Sequence, residues 1–410
     1  MRLFWKFSGG WPSLKFLTAF AVITATFLAG AAGALAFSAP ATFLTGLAQP
    51  AEPAVTIKGD LYFSQLVSAD TVTLSRLASG SKTPIEVYRL VGSGPYLNDI
   101  HFDKAGNLIL ITSIASADLS SRRWALVRLN PSTRIATELV VTTGVVDPSA
   151  GWVGSGVPLL SGTEINFTGV DDLGTIDFAE NSVDAGNQVS DVLALKAGTS
   201  TQLRIGHFAN PIVALNVVKT GDAYISEDNG SIYQYQAAKG AIRVLIPLSG
   251  NKYLHTGLDA AGNLYVLERT LVGPSGFGQA SSTIVRIDRI SATQLKRANP
   301  TPVVISRATY VGFIALWAGS SSFFRVSSAG DVYWVQSLID PSKAITTNQI
   351  IGVAKGQPTQ SSVYEEFAGH SPSSSWDADP ASQGPIGLAI SGMGVFASST
   401  NTGDLLQILR

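Results

Sequence analysis

Oxygen-bearing side chains that could bind a ligand recur where short apolar runs of this sequence begin or end. The set that we single out consists of Asn98, Asp99, Glu227, Asp228, His255 and Glu268. Asp99 and His255 stand at the same spacing from the glycine that follows, which predicts that they lie at one level of a repeated structure. Carboxylate and amide oxygens with an imidazole can hold a divalent cation such as Ca²⁺, so Asp99, Glu227 and Glu268 are candidate metal ligands. Polar residues that line a water-filled channel are the alternative interpretation.

An acidic segment offers a second set of oxygen ligands. Between Arg134 and Lys196 the sequence has carboxylates but no Lys, Arg or His. Asp177, Glu180 and Asp184 fall in its central part, residues 171–190, which we expect to be a long loop. Such a loop could bind Ca²⁺, although no EF-hand motif is present, and a solvated acidic loop is the alternative.

Trp152 and Trp376 lie in stretches rich in Gly, Ser and Pro, where we expect insertions. An exposed indole ring stacks on a sugar or anchors a peptide, whereas a buried one fixes the loop to the body of the protein. Both tryptophans are therefore candidate ligand-binding residues. No catalytic residue can be named, because the sequence has neither a Gly-x-Ser-x-Gly elbow nor a His-Glu-x-x-His motif.

The elements that must position these residues are short strands. From residue 59 onward a glycine, a spacer and a short run rich in Tyr, Ile and Val recur, and each run ends on a polar residue. The seven copies begin at Gly59, Gly106, Gly162, Gly221, Gly262, Gly330 and Gly392 and end at Gln65, Thr112, Thr168, Glu227, Glu268, Gln336 and Ser398. Gly-Asp and Gly-Asn reverse the chain in tight hairpins. Four antiparallel strands per copy predict an all-β fold, a β-propeller.

We expect seven blades, with six as the alternative if the third copy is discounted. The strand Val55-Thr56-Ile57 is expected to pair with the C-terminal unit and close the ring, because closure protects the exposed edges. Long connections on one face of a rigid scaffold commonly carry binding. The connections that predict such an elaborated face are 144–156, 171–190, 270–282, 338–347 and 369–384.

Some of these units resemble a known superfamily. The run 386–390, followed by 395–398 and 405–409, resembles NHL repeats, and the run 223–233 is similar to strands of the gluconolactonase-like sugar lactonases. The resemblance covers residues 55–410 and implies a propeller. Sugar lactonases bind a metal at the channel mouth, so the resemblance also implies a metal-dependent hydrolase of this type as an alternative function.

The N-terminus has the charge and hydropathy pattern that is typical of an export signal. Arg2, Lys6 and Lys15 precede an uncharged stretch in which residues 16–37 are long and apolar enough to cross a bilayer as a helix. Basic residues before such a helix stay in the cytoplasm, so the rest of the chain is expected outside it, either membrane-anchored or secreted. We expect a signal peptide or membrane anchor over 1–37, an Ala/Pro-rich linker over 38–54 and the propeller over 55–410.

Composition narrows the function. The chain has no cysteine, which excludes disulfides, thiolate catalysis and Cys-ligated zinc. Its net charge of −1 gives no overall field that would recruit nucleic acid or anionic lipid. We expect a binding scaffold that recognises a protein, peptide or carbohydrate through the elaborated face, with no cofactor beyond a possible divalent cation.

Overall fold

The computed structural model describes residues 40–146, 159–184, 186–247, 254–273, 282–316, 323–340, 345–370, 385–391, 394–399 and 403–408. These residues form antiparallel strands and one short 3-10 helix, Gln294–Lys296. The predicted N-terminal segment, Trp152 and Trp376 lie outside the described residues. Within them, no helix combines the length and the apolar character that a bilayer crossing requires.

The strands form four-stranded antiparallel meanders that follow one another along the chain. The first meander consists of β2 (Pro50–Val55), β3 (Leu61–Ser68), β4 (Thr71–Leu77) and β5 (Ile85–Val91). The second consists of β6 (Ser93–Phe102), β7 (Leu108–Ala115), β8 (Ser121–Asn130) and β9 (Ile135–Val146). The third consists of β10 (Leu159–Val170), β11 (Ile176–Asp184), β12 (Asn187–Leu195) and β13 (Gln202–Phe208). The start of β10 also pairs with the end of β9, which joins the second and third meanders into one eight-stranded sheet.

The remaining meanders have the same plan. One consists of β14 (Ile212–Val217), β15 (Ala223–Glu227), β16 (Ile232–Gln236) and β17 (Ala241–Ile246). The next consists of β18 (Leu254–Leu258), β19 (Leu264–Val272), β20 (Ser282–Ile290) and β21 (Val303–Val311). In the one after it, β22 (Phe313–Leu316) and β23 (Phe324–Val326) both pair with β24 (Val332–Asp340), which is followed by β25 (Ile345–Val353) and β26 (Ser361–His370). The closing meander consists of β27 (Pro385–Ser391), β28 (Gly394–Ser399), β29 (Asp404–Ile408) and β1 (Ala41–Leu44).

The meanders are arranged radially. The first strand of each contacts the first strand of the next, in the order β2, β6, β10, β14, β18, β23 and β27, and β27 contacts β2 again. Each hydrophobic cluster lies between two neighbouring meanders; for example, Phe63 of β3 packs with Phe396 of β28 and Leu405 of β29. Sheets that bury their faces against each other around a central axis form a β-propeller.

Ring closure differs from the prediction. Thr42 of β1 pairs with Leu406 of β29, and the Phe43 ring lies 5.3 Å from the Phe396 ring. The expectation that residues 55–57 close the ring was wrong, because Val55 pairs with Leu61 inside the first meander. The segment 38–54, expected to be a linker, contains β1 and most of β2. Its Ala/Pro-rich composition concealed two strands whose pairing partners are distant in sequence.

The repeated glycine forms the same turn in successive meanders. Its N–H donates to the carbonyl three residues earlier, and its φ is positive, a conformation that glycine adopts without steric cost. These bonds join Gly59 to Thr56, Gly106 to Asp103, Gly174 to Asp171, Gly221 to Val218, Gly262 to Asp259 and Gly330 to Ser327. The third predicted copy was therefore misplaced: the turn lies at Gly174, and Gly162 lies inside β10. A Cβ on Gly162 would lie 2.4 Å from the carbonyl oxygen of Thr143, so this glycine permits the close approach of β10 to β9.

Connections alternate between the two ends of each meander. We call the end with the glycine turns and the connections from third to fourth strand the glycine-turn face. The other end, with the connections from second to third strand and from one meander to the next, is the insertion face. The predicted loop over 171–190 was wrong, because β11 and the start of β12 occupy most of it. The predicted insertion over 338–347 was also wrong for most of its length, because 338–340 belong to β24 and 345–347 to β25. The predicted insertions 144–156, 270–282 and 369–384 fall largely outside the described residues.

Candidate functional site

Asp99 lies in a β-bulge of β6. The pairing of β6 with β7 shifts between Asn98 and His101, and Asp99 has a φ of 53°. A bulge inserts an extra residue and changes the direction of a side chain. His255 pairs with Leu267, which occupies the same repeat position as Ile111, the partner of Asn98. His255 is therefore level with Asn98, and the expectation that it is level with Asp99 was wrong.

The buried carboxylate of Asp99 connects two neighbouring first strands. It accepts hydrogen bonds from the backbone N–H of Thr168 in β10 and, at 3.1 Å, from the Thr168 hydroxyl. His101 Nε2 lies 3.2 Å from its other oxygen. β10 has its own bulge at this point, where Phe167 has a φ of 40° and the pairing with β11 shifts. Asp99 thus satisfies an amide that the bulge removes from the ladder, which is a structural role.

Similar irregularities recur in the first strands that surround the axis. The register shifts lie between Ala51 and Ala54, Asn98 and His101, Asn166 and Thr168, Ile212 and Ala214, and Pro385 and Leu388. Glu52, with a φ of 46°, lies in the first of them and is almost fully buried. Irregular pairing therefore interrupts the first strands of several meanders, and in two of them the interruption carries a buried carboxylate, Glu52 or Asp99.

The sequence analysis missed two charged residues near this axis. Arg325 of β23 donates to the carbonyl of Leu388, 3.1 Å away. Burial lowers the pKa of the Arg325 guanidinium, while the charges of Asp99 and Glu52 raise it. These three residues from β23, β6 and β2 form an electrostatically coupled group. The available signal was the single charge of Arg325 in an apolar strand; Glu52 was assigned to a linker.

Glu227 and Asp228 end β15 in a compact turn. One oxygen of the buried Glu227 carboxylate accepts from Asn229 Nδ2 at 2.9 Å and from the Tyr233 hydroxyl at 3.1 Å. Asp228 is exposed to solvent, but partial desolvation by the surrounding turn and the neighbouring Glu227 charge raise its pKa. The bonds to Glu227 are local ones that hold the turn.

Glu268 is part of an ion-pair network inside its own meander. It lies opposite Arg286 on β20, and the Arg286 guanidinium contacts both Glu268 and Asp288, the latter at 2.9 Å. Two nearly buried carboxylates thus share one cation.

The acidic residues of β11 also have local environments. Burial, and next the charge of Asp171, raise the pKa of Asp177 to about 7. Burial and Asp191 raise the pKa of Glu180, while Arg204 lowers it. Asp177 and Glu180 are three positions apart on a strand and therefore point to opposite faces. The side chain of Asp184 lies outside the described residues.

The predicted metal sites are not assembled. In the described ranges, no three Asp, Glu or His side chains come together in a way that could hold a metal ion. This applies to the set of Asp99, Glu227 and Glu268 and to the pair of Asp177 and Glu180. The predicted ligands lie in different meanders or on opposite faces of one strand.

The polar residues that end the second strands form ties within a meander. Gln65 Nε2 donates to the Ser75 hydroxyl at 2.9 Å, and Gln336 Nε2 donates to Gln349 Oε1 at 2.8 Å. These partners lie on the third strand of the same meander. In the third meander the residue at this position is Glu180, which follows Gly174 at the repeat spacing, and not Thr168 as predicted.

The insertion face presents carboxylates and apolar side chains to solvent. Asp70 and Asp118 occupy its first two second-to-third-strand turns, and hydrogen bonds from Ser116 and Ser120 lower the pKa of Asp118 to about 2. The apolar side chains exposed at this face in the first three meanders include Leu66, Val67, Val91, Leu119, Val145 and Leu160. This mixture suits a protein or peptide ligand better than a small metal-bound substrate.

No protein-family model and no curated protein matches the chain. Among solved structures, it resembles oligogalacturonate lyase from Vibrio parahaemolyticus, with 10% identity, 91% of this chain and 96% of that chain covered, and a TM-score of 0.49. It also resembles YCF48 bound to D1 peptide, with 11% identity, 92% and 99% covered, and a TM-score of 0.48. A third is TolB from Acinetobacter baumannii, with 11% identity, a TM-score of 0.42 and 76% of this chain covered; the match spans 64% of TolB. We base the propeller on the topology of the sheets themselves, and nothing distinguishes NHL repeats from other propellers.

Proposed function

We propose that this protein is an extracytoplasmic propeller of seven blades, held at a membrane by residues 1–37, that binds a protein or peptide partner across its insertion face. The blade number is supported by the cyclic contacts of the first strands, in which β22 and β23 count as one interrupted strand. The location is supported by the order of basic and apolar residues at the N-terminus.

The observation that carries the binding proposal is the exposed apolar surface at one end of the first three meanders. Leu119 is 56% exposed, Leu160 57% and Val67 50%, and all three lie at strand ends or turns of the insertion face. Apolar side chains beside ionised carboxylates such as Asp70 resemble the core and rim of a protein interface. A partner with apolar anchors and basic residues would complement this surface.

The alternative is a metal-dependent hydrolase of the sugar-lactonase type. It is disfavoured because the side chains predicted to bind the metal are engaged in other interactions. Glu268 is paired with Arg286, and Glu227 accepts bonds from its own turn. Asp99 accepts the Thr168 amide. Each of these groups already has a partner that a metal would have to displace.

Photo-crosslinking in living cells tests the proposal. A photoreactive amino acid replaces Leu119 on the insertion face or, as the matched control at the other end of β7, Ala105 in a glycine turn. We expect a discrete adduct with one protein from position 119, lost when Leu66 and Val67 are both replaced by Asp. Adducts of equal yield from both positions, or an adduct that survives this double change, would contradict the proposal.

A further inference from the structure

Among the residues that the structure describes, the lysines are segregated to one face. All eight lysines of the described residues lie in connections of the glycine-turn face, and all eight are exposed: Lys58, Lys82, Lys104, Lys196, Lys219, Lys239, Lys296 and Lys355. Exposed Arg134 and Arg297 lie in connections of the same face. Lys252 and Lys343 fall outside the described residues. The net charge of −1 therefore conceals a strongly uneven distribution.

Most carboxylates of the same connections are held against the turn backbone by hydrogen bonds. They accept a backbone N–H of a turn through Oδ1, as Asp60 does from Ser79 and Asp222 from Ala237, both at 2.9 Å. The others that do so are Asp103, Asp171, Asp259 and Asp331. Asp172 is the exposed exception. Because the lysines are exposed and most carboxylates are held at the turn backbone, the outermost layer of this face is cationic.

The insertion face has the opposite character. Its described connections contain Asp70, Asp118 and Asp228, all exposed, and within the described residues these connections contain no lysine or arginine. In the described part of the chain the two faces therefore differ in sign, so an anionic surface would attract the glycine-turn face more than the other.

The two most exposed apolar side chains of this face in the described residues stand among the lysines. Ile57, beside Lys58, is 104% exposed at the tip of the first glycine turn, and Leu173 is 79% exposed at the tip of the third. Apolar tips within a basic ring are the composition that inserts shallowly into the interface of a bilayer with anionic headgroups.

The chain also enters the propeller at this face. β1 runs antiparallel to β29 and begins at the end where β29 finishes, which is the glycine-turn end. The apolar stretch of the sequence ends at Phe37 and β1 begins at Ala41, and four residues span at most about 14 Å. An anchor over 1–37 would therefore hold the glycine-turn face close to the bilayer.

We propose that the glycine-turn face docks on an anionic phospholipid surface through its eight exposed lysines, which we call the lysine ring, with Ile57 and Leu173 at the interface. This inference rests on the proposed membrane anchoring. It orients the insertion face away from the bilayer, toward its partner. Lysines near an anionic membrane attract it within about one Debye length, so docking weakens as salt is added.

Single-cysteine labelling of the full chain tests this orientation, because the chain has no cysteine of its own. A fluorophore is placed at Ala105→Cys on the glycine-turn face or at Leu119→Cys on the insertion face, at opposite ends of β7. The full chain is reconstituted in vesicles of phosphatidylcholine alone or with phosphatidylglycerol, each containing a headgroup-labelled nitroxide lipid. We expect strong quenching at position 105 in anionic vesicles, weaker quenching in neutral vesicles or high salt, and little at position 119.

Two variants that remove the same amount of charge separate the contribution of the lysines to docking from that of the N-terminal anchor. Replacing Lys58, Lys219 and Lys239 by Gln should reduce quenching at position 105 in anionic vesicles to the level of neutral ones. Replacing Arg89, Arg123 and Arg204, exposed cations on the strands, by Gln should leave it unchanged. Equal quenching at positions 105 and 119, or equal quenching at position 105 in anionic and neutral vesicles, would overturn the inference. Crosslinking from position 119 in cells does not depend on this result, so the binding proposal stands or fails separately.

Discussion

Replacement of Asp99 tests whether its carboxylate is a structural tie between first strands. Asp99→Gly keeps the positive φ free of strain and removes both bonds to Thr168. The lost bond to an ionised acceptor and the buried amide left without a partner together cost about 2–4 kcal/mol. Asp99→Asn also tolerates this φ and retains an oxygen acceptor, so we expect it to cost about half as much.

The free energy of unfolding is measured by urea titration of the full chain in a mild detergent. The double variant Asp99→Gly with Thr168→Val supplies the coupling energy, because Val removes the hydroxyl bond and keeps the amide. We expect the two changes together to cost less than the sum of the single changes. If Asp99→Asn were more stable than the parent, as in a relieved cluster of like charges, or if Asp99→Gly cost less than about 0.5 kcal/mol, this reasoning would be refuted.

Three further outcomes follow from individual residues. Gly162→Ala should destabilise the protein more than Gly106→Ala in urea titration, because both have positive φ but only a Cβ at 162 would meet backbone, 2.4 Å from a carbonyl oxygen; equal costs would contradict this. Since burial raises the folded-state pKa of Asp177 to about 7, stability should fall as pH rises from about 4 to 7 and then level off. This fall amounts to a few kcal/mol, because each pH unit between the unfolded and folded pKa values contributes about 1.4 kcal/mol. Asp177→Asn should remove most of it. A pH profile of stability that is unchanged in this variant would contradict the burial argument. The paired residues Thr42 and Leu406, both replaced by Cys, should form a disulfide that links the chain ends, visible as altered gel mobility under non-reducing conditions.

The sequence predicted the strands well where local chemistry determines them. Glycine turns followed by apolar runs were found at Gly59, Gly106, Gly221, Gly262 and Gly330, because positive φ at glycine and a short continuous apolar run are local properties of the sequence. The third turn was misplaced because Gly162 and Gly174 both precede suitable runs. Only the close packing of β10 on β9 distinguishes them.

The bulges explain why the candidate site was predicted less well. Aligning glycines placed Asp99 and His255 at one level, but an extra residue in β6 shifts that alignment by one. A bulge depends on the partner strand and leaves no reliable trace in one sequence. Arg325 and Glu52 were missed for a related reason, since their proximity to Asp99 arises from the ring and not from sequence spacing.

The charge segregation, in contrast, was readable from the sequence. Each described lysine stands in a turn between predicted strands, and alternate turns of a meander share one face. The net charge was treated as a property of the whole molecule, and this concealed the basic glycine-turn face that the described residues form.

The central claim, an extracytoplasmic propeller with its insertion face available to a partner, is tested most directly by labelling Leu119→Cys with a membrane-impermeant maleimide. Intact cells, stripped of any outer barrier, are compared with cells whose cytoplasmic membrane has been permeabilised. We predict that labelling is complete before permeabilisation, because Leu119 is exposed and on the side of the membrane opposite the cytoplasm. Labelling that occurs only after permeabilisation would place the propeller in the cytoplasm and contradict the account.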